Sequence, residues 1–138
     1  MLNRSYDSVI SHAYDRNRAR RPLRIAMVAP PWFELPPVGY GGIEQSCAVL
    51  VDALVARRHE VTLFGAGERT GTAATFVSTV GLSPHDRMGD EVIWALHAAR
   101  VDRLLAAGRF DVVHDHTISG ALTARTRRIP TVVTAHNL

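Results

Sequence analysis

The sequence predicts an α/β chain, a Rossmann-like doubly wound parallel sheet with helices on both faces. Two patterns and one bound carry this. A short apolar run at 24–29 has the character of a strand covered on both sides, and further strand patterns stand at 61–64, 112–114 and 131–134. They alternate with helical patterns at 42–58 and 90–107, and strands alternating with helices mean parallel pairing. The bound is size: 138 residues, 46% of them hydrophobic, make one domain able to bury its own core.

Residues 1–22 read as a basic, poorly ordered arm, with a short helix expected around 8–14. Residues 1–24 hold six arginines (4, 16, 18, 20, 21 and 24) against Asp7 and Asp15, giving +4, and the remainder carries −1, so the net charge is +3 and the folded part is close to neutral. Any contact with anionic lipid is expected through the arm alone, and no specific nucleic-acid binding is expected. All sixteen basic residues are arginine, a compositional bias. No apolar run approaches the ~20 residues of a membrane span, no secretory leader is visible, and one cysteine, Cys47, suits a reducing, cytoplasmic setting.

The folded domain is expected over 23–138. Strand one, 24–29, is stopped by Pro30-Pro31, because proline cannot donate to a ladder. The loop to Gly41 carries four prolines with Trp32, Phe33 and Tyr40. It exceeds the about two to six residues usual for such a turn, and excess length there is more often functional than idle. The helix over 42–58 places Ile43, Cys47, Leu50, Val51, Leu54 and Val55 on one stripe, with Glu44, Gln45, Asp52 and Arg57 elsewhere. Strand two completes a βαβ unit with a right-handed crossover. A loop at 65–75 leads to strand three at 75–80. Asp90 is the expected N-cap of a helix running to Ala107, with Gly108 as its stop and Ile93, Trp94, His97, Val101, Leu104 and Leu105 on its apolar face. Strand four, a short helix at 119–127 and strand five follow.

Ligands of such sheets gather beyond the carboxyl ends of the strands. The segments after strands one, two, four and five are Gly39–Glu44, Gly65–Glu68, Asp115–Thr117 and His136-Asn137, a rim rich in glycine and imidazole. Gly41-Gly42 allows close approach of backbone N–H groups at a helix start that favours anions. The doublet could equally serve only the turn, with Glu44 complementing the helix dipole; the length and aromatics of the loop favour a ligand. Gly65-Ala66-Gly67 follows the wrong strand for a dinucleotide fingerprint, which disfavours an NAD site. In an extended strand His114 and His116 face one way and Asp115 the other. They have metal-ligand types but no evident third ligand, so no metal is expected. His136 ends a strand at the rim, where it could meet a ligand hydroxyl. Cys47 sits on the apolar stripe and reads as structural, and no Gly-x-Ser-x-Gly elbow or Walker loop appears.

Arg24–Pro31 and Gly39-Tyr40-Gly41-Gly42-Ile43-Glu44 resemble the opening of family 4 glycosyltransferases. His59–Phe64, Phe110–His116 and Pro130–His136 resemble three further stretches of that family, in the same order and spacing, so the likeness covers roughly 23–138. It implies the N-terminal half of a GT-B architecture, two Rossmann-like domains facing a cleft, with a nucleotide-diphosphate sugar as donor and a hydroxyl acceptor. It implies that Gly41 and Gly42 lie near the donor diphosphate and that Tyr40 and Glu44 border the acceptor. It implies further that Asp115, His116 and Thr117 line the cleft with Asn137, and that His136 reaches the donor sugar as the catalytic candidate. No metal and no tightly bound cofactor are implied. The sequence stops at Leu138, before the donor domain, so the chain alone is expected to be inactive.

Two rival readings stand beside this one. A binding or assembly module, completed by a partner chain or by self-association, is suggested by a sheet ending after strand five. A nucleotide-binding α/β protein of another class is the third.

Overall fold

The computed structural model describes residues 21–136. The expected arm, with its helix around 8–14, lies outside the described residues apart from Arg21 and Pro22. The elements are β1 (Arg24–Val28), α1 (Gly42–Ala56), β2 (Glu60–Ala66), β3 (Thr75–Val80), α2 (Glu91–Ala107), β4 (Val112–Asp115), α3 (Ile118–Thr123) and β5 (Thr131–Val133), with a 3-10 turn at His85–Arg87. The sheet order is β3-β2-β1-β4-β5 and every pair is parallel. The chain builds outward from β1 to β3, and α2 then carries it back across to β4. The order therefore reverses between β1 and β4, the place where α/β sheets open a crevice for ligands.

The sheet is covered on both faces, as its apolar runs predict. Alternate residues of β1 divide between two cores. Ile25 and Met27 pack with Leu63 against Cys47, Ala48 and Val51 of α1, while Ala26 and Val28 pack with Phe64 and Val113 against Val101 and Leu105 of α2. Each of the larger side chains among them contributes about 1.5–3 kcal/mol on full burial, so the central strand anchors both layers.

Most expected boundaries hold within a residue or two, and the exceptions have reasons. Helix α1 ends at Ala56 because Arg58 turns into the left-handed region at φ 69°. Asp90 caps α2 as expected, accepting from the backbone of Val92 and Ile93. Gly108 does stop α2, but in an extended conformation; a Cβ there would sit 2.4 Å from the Phe110 ring, so the glycine makes room for an aromatic rather than supplying a left-handed turn. Helix α3 stops at Thr123, not Arg127, since Arg127 leaves the helix to pair with Asp102 and Asp115.

The long loop after β1 is packed. Trp32 and Leu35 are buried. The Ser83 hydroxyl donates to the Trp32 carbonyl, and the Thr70 hydroxyl and Gly71 N–H donate to that of Leu35. At the opposite end of the sheet Asp111 accepts from the backbone and guanidinium of Arg24 and from Arg21, which hold its carboxyl well below the usual range.

Candidate functional site

A cavity of about 670 Å³ opens where the sheet order reverses. One wall is the loop after β1, with Trp32, Phe33 and Tyr40; the floor is the start of α1, Gly41–Glu44; the far wall is His116–Ile118 with Val133–His136. Three strands thus deliver their carboxyl ends to one hollow.

The start of α1 is set by Gly41, at φ 137°. Its carbonyl accepts the first helical bond, from Gln45 N at 2.8 Å. Gly41 has no side chain to cap the helix, so the early N–H groups have no capping oxygen from it. The two glycines differ. A Cβ on Gly41 would lie 2.8 Å from Pro37 in a conformation that L-residues avoid, whereas one on Gly42 meets nothing within 4 Å among the described residues. We expect Gly41→Ala to cost about 1–3 kcal/mol and Gly42→Ala to leave stability unchanged or raised, because alanine suits a helix better. Urea midpoints check this, and equal losses would count against it.

Glu44 corrects the sequence reading. It lies on the buried face of α1, not off it, because 44, 47, 48 and 51 form the i, i+3, i+4, i+7 set that meets the sheet. Only 3% exposed, it lines the cavity, and burial raises its pKa against an opposing contact with its own backbone N–H. Cys47, one turn on, is fully buried, and burial pushes its thiol up to about 12 with Glu44 and Asp115 adding to the shift. It cannot serve as a thiolate nucleophile at neutral pH.

The histidines form a stack. His114 and His116 project from the same face of β4 with ring centroids 4.2 Å apart, and His116 stacks on His136 at 5.1 Å. His114 Nε2 pairs with Thr134 Oγ1 at 2.7 Å, and His116 Nδ1 lies 2.8 Å from His136 Nε2. His136 is exposed, whereas His116 is buried and its Nε2 has no partner among the described residues. Burial first, then the neighbouring imidazoles, lower the His116 pKa to about 4. Burial likewise lowers that of His114.

Asp115 does not line the cavity. It turns to the other face of the sheet, 1% exposed, where its carboxylate meets Arg127 at 2.8 Å and accepts from the Thr117 backbone and hydroxyl. Thr117 reaches the wall, but its hydroxyl donates to Asp115 and accepts from Gly120 N, which caps α3. Asp115 and Thr117 therefore hold up the site instead of presenting free groups to it. The Gly65–Glu68 rim also lies apart from the cavity: Gly65 and Ala66 belong to β2. Asn137 lies outside the described residues.

The cavity contains residues the sequence reading did not place there. Trp94, read as core, meets Trp32 edge-on at 5.2 Å and lines the hollow with Met88 and Gly89. The signal for the last two is the rim rule itself, applied to the segment after β3.

A comparison with curated proteins finds no match. Residues 40–138 match the sequence model described as Glycosyltransferase Family 4. That span begins at the glycine turn and takes in α1, β2 to β5 and the histidine stack. Covering well over half of the sequence, with the parallel sheet beneath it, the match establishes that this chain belongs to glycosyltransferase family 4.

Proposed function

We propose that this chain is the acceptor-side domain of a GT-B glycosyltransferase, moving a sugar from a nucleotide-diphosphate donor to an acceptor hydroxyl. The observation that carries the reading is the convergence on one cavity of the glycine start of α1, Glu44 and the His116–His136 pair. In the reaction the acceptor oxygen attacks the anomeric carbon, the bond to the donor diphosphate breaks, and the hydroxyl proton passes to a base. Backbone N–H groups at Gly41 and Gly42 suit the departing diphosphate, as fixed dipoles aimed at developing charge. His136 suits a hydroxyl of the donor sugar, and Tyr40, Phe33 and Glu44 suit the acceptor. No arginine lines this hollow among the described residues. The remaining diphosphate charge would be met by a second domain or a partner chain, so the chain alone should not turn over. No helix among the described residues is long and apolar enough to cross a membrane.

The test is ligand titration followed by amide NMR. UDP and GDP are expected to shift the signals of Gly41, Gly42 and His136, and His136→Ala to weaken that response. Binding of NAD alone would overturn the reading. Sugar transfer by the pure 138-residue chain would refute the half-site part of it.

A second reading, self-association, draws on exposed Ile118, Leu122 and Val132, the last on edge strand β5. Sedimentation decides it: a monomer at high concentration removes this alternative.

A further inference from the structure

We infer that His116 is a positioning residue for His136: its Nδ1–H donates to His136 Nε2, so that the exposed ring keeps its own hydrogen on Nδ1 as a neutral donor. Its use for a sugar or phosphate oxygen rests on the function proposed above; the tautomer assignment itself does not.

The 2.8 Å contact between His116 Nδ1 and His136 Nε2 holds one hydrogen, and two neutral arrangements can supply it. If His136 donated, His116 would carry its own hydrogen on Nε2. That atom is buried without a partner among the described residues, and an orphaned buried N–H is the rarer and costlier defect. If His116 donates, Nε2 is a bare lone pair and no hydrogen is stranded. The doubly protonated form of His116 is disfavoured twice over: it strands the same hydrogen and places a cation beneath two imidazoles in a buried position. The pKa of His116, lowered to about 4 by burial and by those rings, agrees. His114 does not compete for the contact, because its Nε2 is engaged by Thr134 Oγ1 at 2.7 Å. Asp115, the nearest charge in sequence, is turned to the other face and occupied by Arg127 and Thr117. A fixed tautomer is what a hydrogen-bonding site needs from a histidine, since each ring nitrogen can donate or accept but not both.

Two-bond ¹⁵N–¹H correlation spectra of the histidine-labelled chain at neutral pH test this directly, with His136→Ala identifying the signals. The expected result is that both His116 and His136 carry hydrogen on Nδ1. His116→Asp can only accept from its neighbour and should move the His136 hydrogen to Nε2. His116→Phe keeps a ring but offers no partner, and should release His136 to the Nε2–H form that an unconstrained histidine side chain prefers. A parent spectrum showing Nε2–H at His136, or Nδ1–H persisting in both variants, would overturn the inference. Should the variants fail to fold, the parent spectrum of His116 decides alone. The functional proposal fails separately, if UDP and GDP leave the His136 signals unmoved while its tautomer is as assigned.

Discussion

Replacing Asp115 with alanine is expected to destabilise the chain by about 3–5 kcal/mol, the usual loss when one partner of a buried ion pair is removed. Asp115 is 1% exposed and its partner Arg127 8%, and they meet at 2.8 Å. Alanine would leave that guanidinium in a dry setting with Asp102 as its other carboxylate, itself 42% exposed. The Thr117 backbone N–H and hydroxyl would lose their shared acceptor as well. These bonds fasten the end of β4 to the start of α3 and, through Arg127 and Asp102, to α2. Domains of this kind are stable by only about 5–15 kcal/mol, so the variant loses a large part of what holds it folded. Asp115→Asn keeps an acceptor for Thr117 and should lose less. Adding Arg127→Met to the alanine variant removes the stranded charge and should recover part of the loss, a coupling that a double-mutant cycle measures. A shift of the urea midpoint worth less than about 1 kcal/mol for Asp115→Ala would show that the carboxylate does not hold this end of the sheet. Because Asp115 does not line the cavity, any change in ligand binding should follow from unfolding.

The contrast between Asp115 and its neighbours marks how far the sequence could be read. Apolar runs and helical spacing disclose the strands and helices, and the alternation of a strand places His114 and His116 together, opposite Asp115. The site is less legible. Glu44 looks like a polar residue off the stripe, because charge outweighs position in a periodicity reading; its spacing from Cys47, Ala48 and Val51 is the better signal. Gly108 looks like a left-handed stop, but whether a glycine serves dihedral freedom or clearance depends on a contact with Phe110 that local pattern does not contain. The match of His116 to His136 joins residues 20 apart. Only pairing of β4 with β5 sets that distance, so the stack appears once the strand order is known. Asp115 is the clearest case: a carboxylate beside two histidines suggests a ligand set, and the sheet sends it to the opposite face.

Acidification is expected to destabilise the chain before most carboxylates titrate, and His97 is the main cause. It lies in the core on α2, fully buried, with Nδ1 2.6 Å from the Thr79 hydroxyl and Nε2 without a partner among the described residues. Burial lowers its pKa to about 4, opposed by the charge of Asp115 and by the nearby Ala29 backbone, which is close enough to attract the proton but not to make a well-formed bond. His116 is lowered to a similar value. The sign follows from proton counts. Unfolded histidine binds its proton near pH 6.5, about as free imidazole does, whereas these two resist until about 4. Between those values the unfolded state holds more protons, so stability falls as pH falls and levels off below the folded values. A shift of this size is worth up to about 3 kcal/mol per residue, so two together match only the low end of the about 5–15 kcal/mol that holds such a domain folded. The low pKa of Asp111 adds loss in the same direction, but only at still lower pH. The raised pKa of Glu44 works the other way, favouring the folded state slightly as pH drops toward its value. Melting temperature should therefore decline steeply from about pH 6.5 to 4. His97→Gln retains a partner for Thr79 but cannot take the proton. It should lower stability at neutral pH by about 1–3 kcal/mol through lost packing and remove close to half of the acid decline. His116→Phe should remove most of the rest. If His97→Gln loses as much stability between those pH values as the parent does, the buried imidazole is not the acid-labile group and the carboxylates must carry the transition.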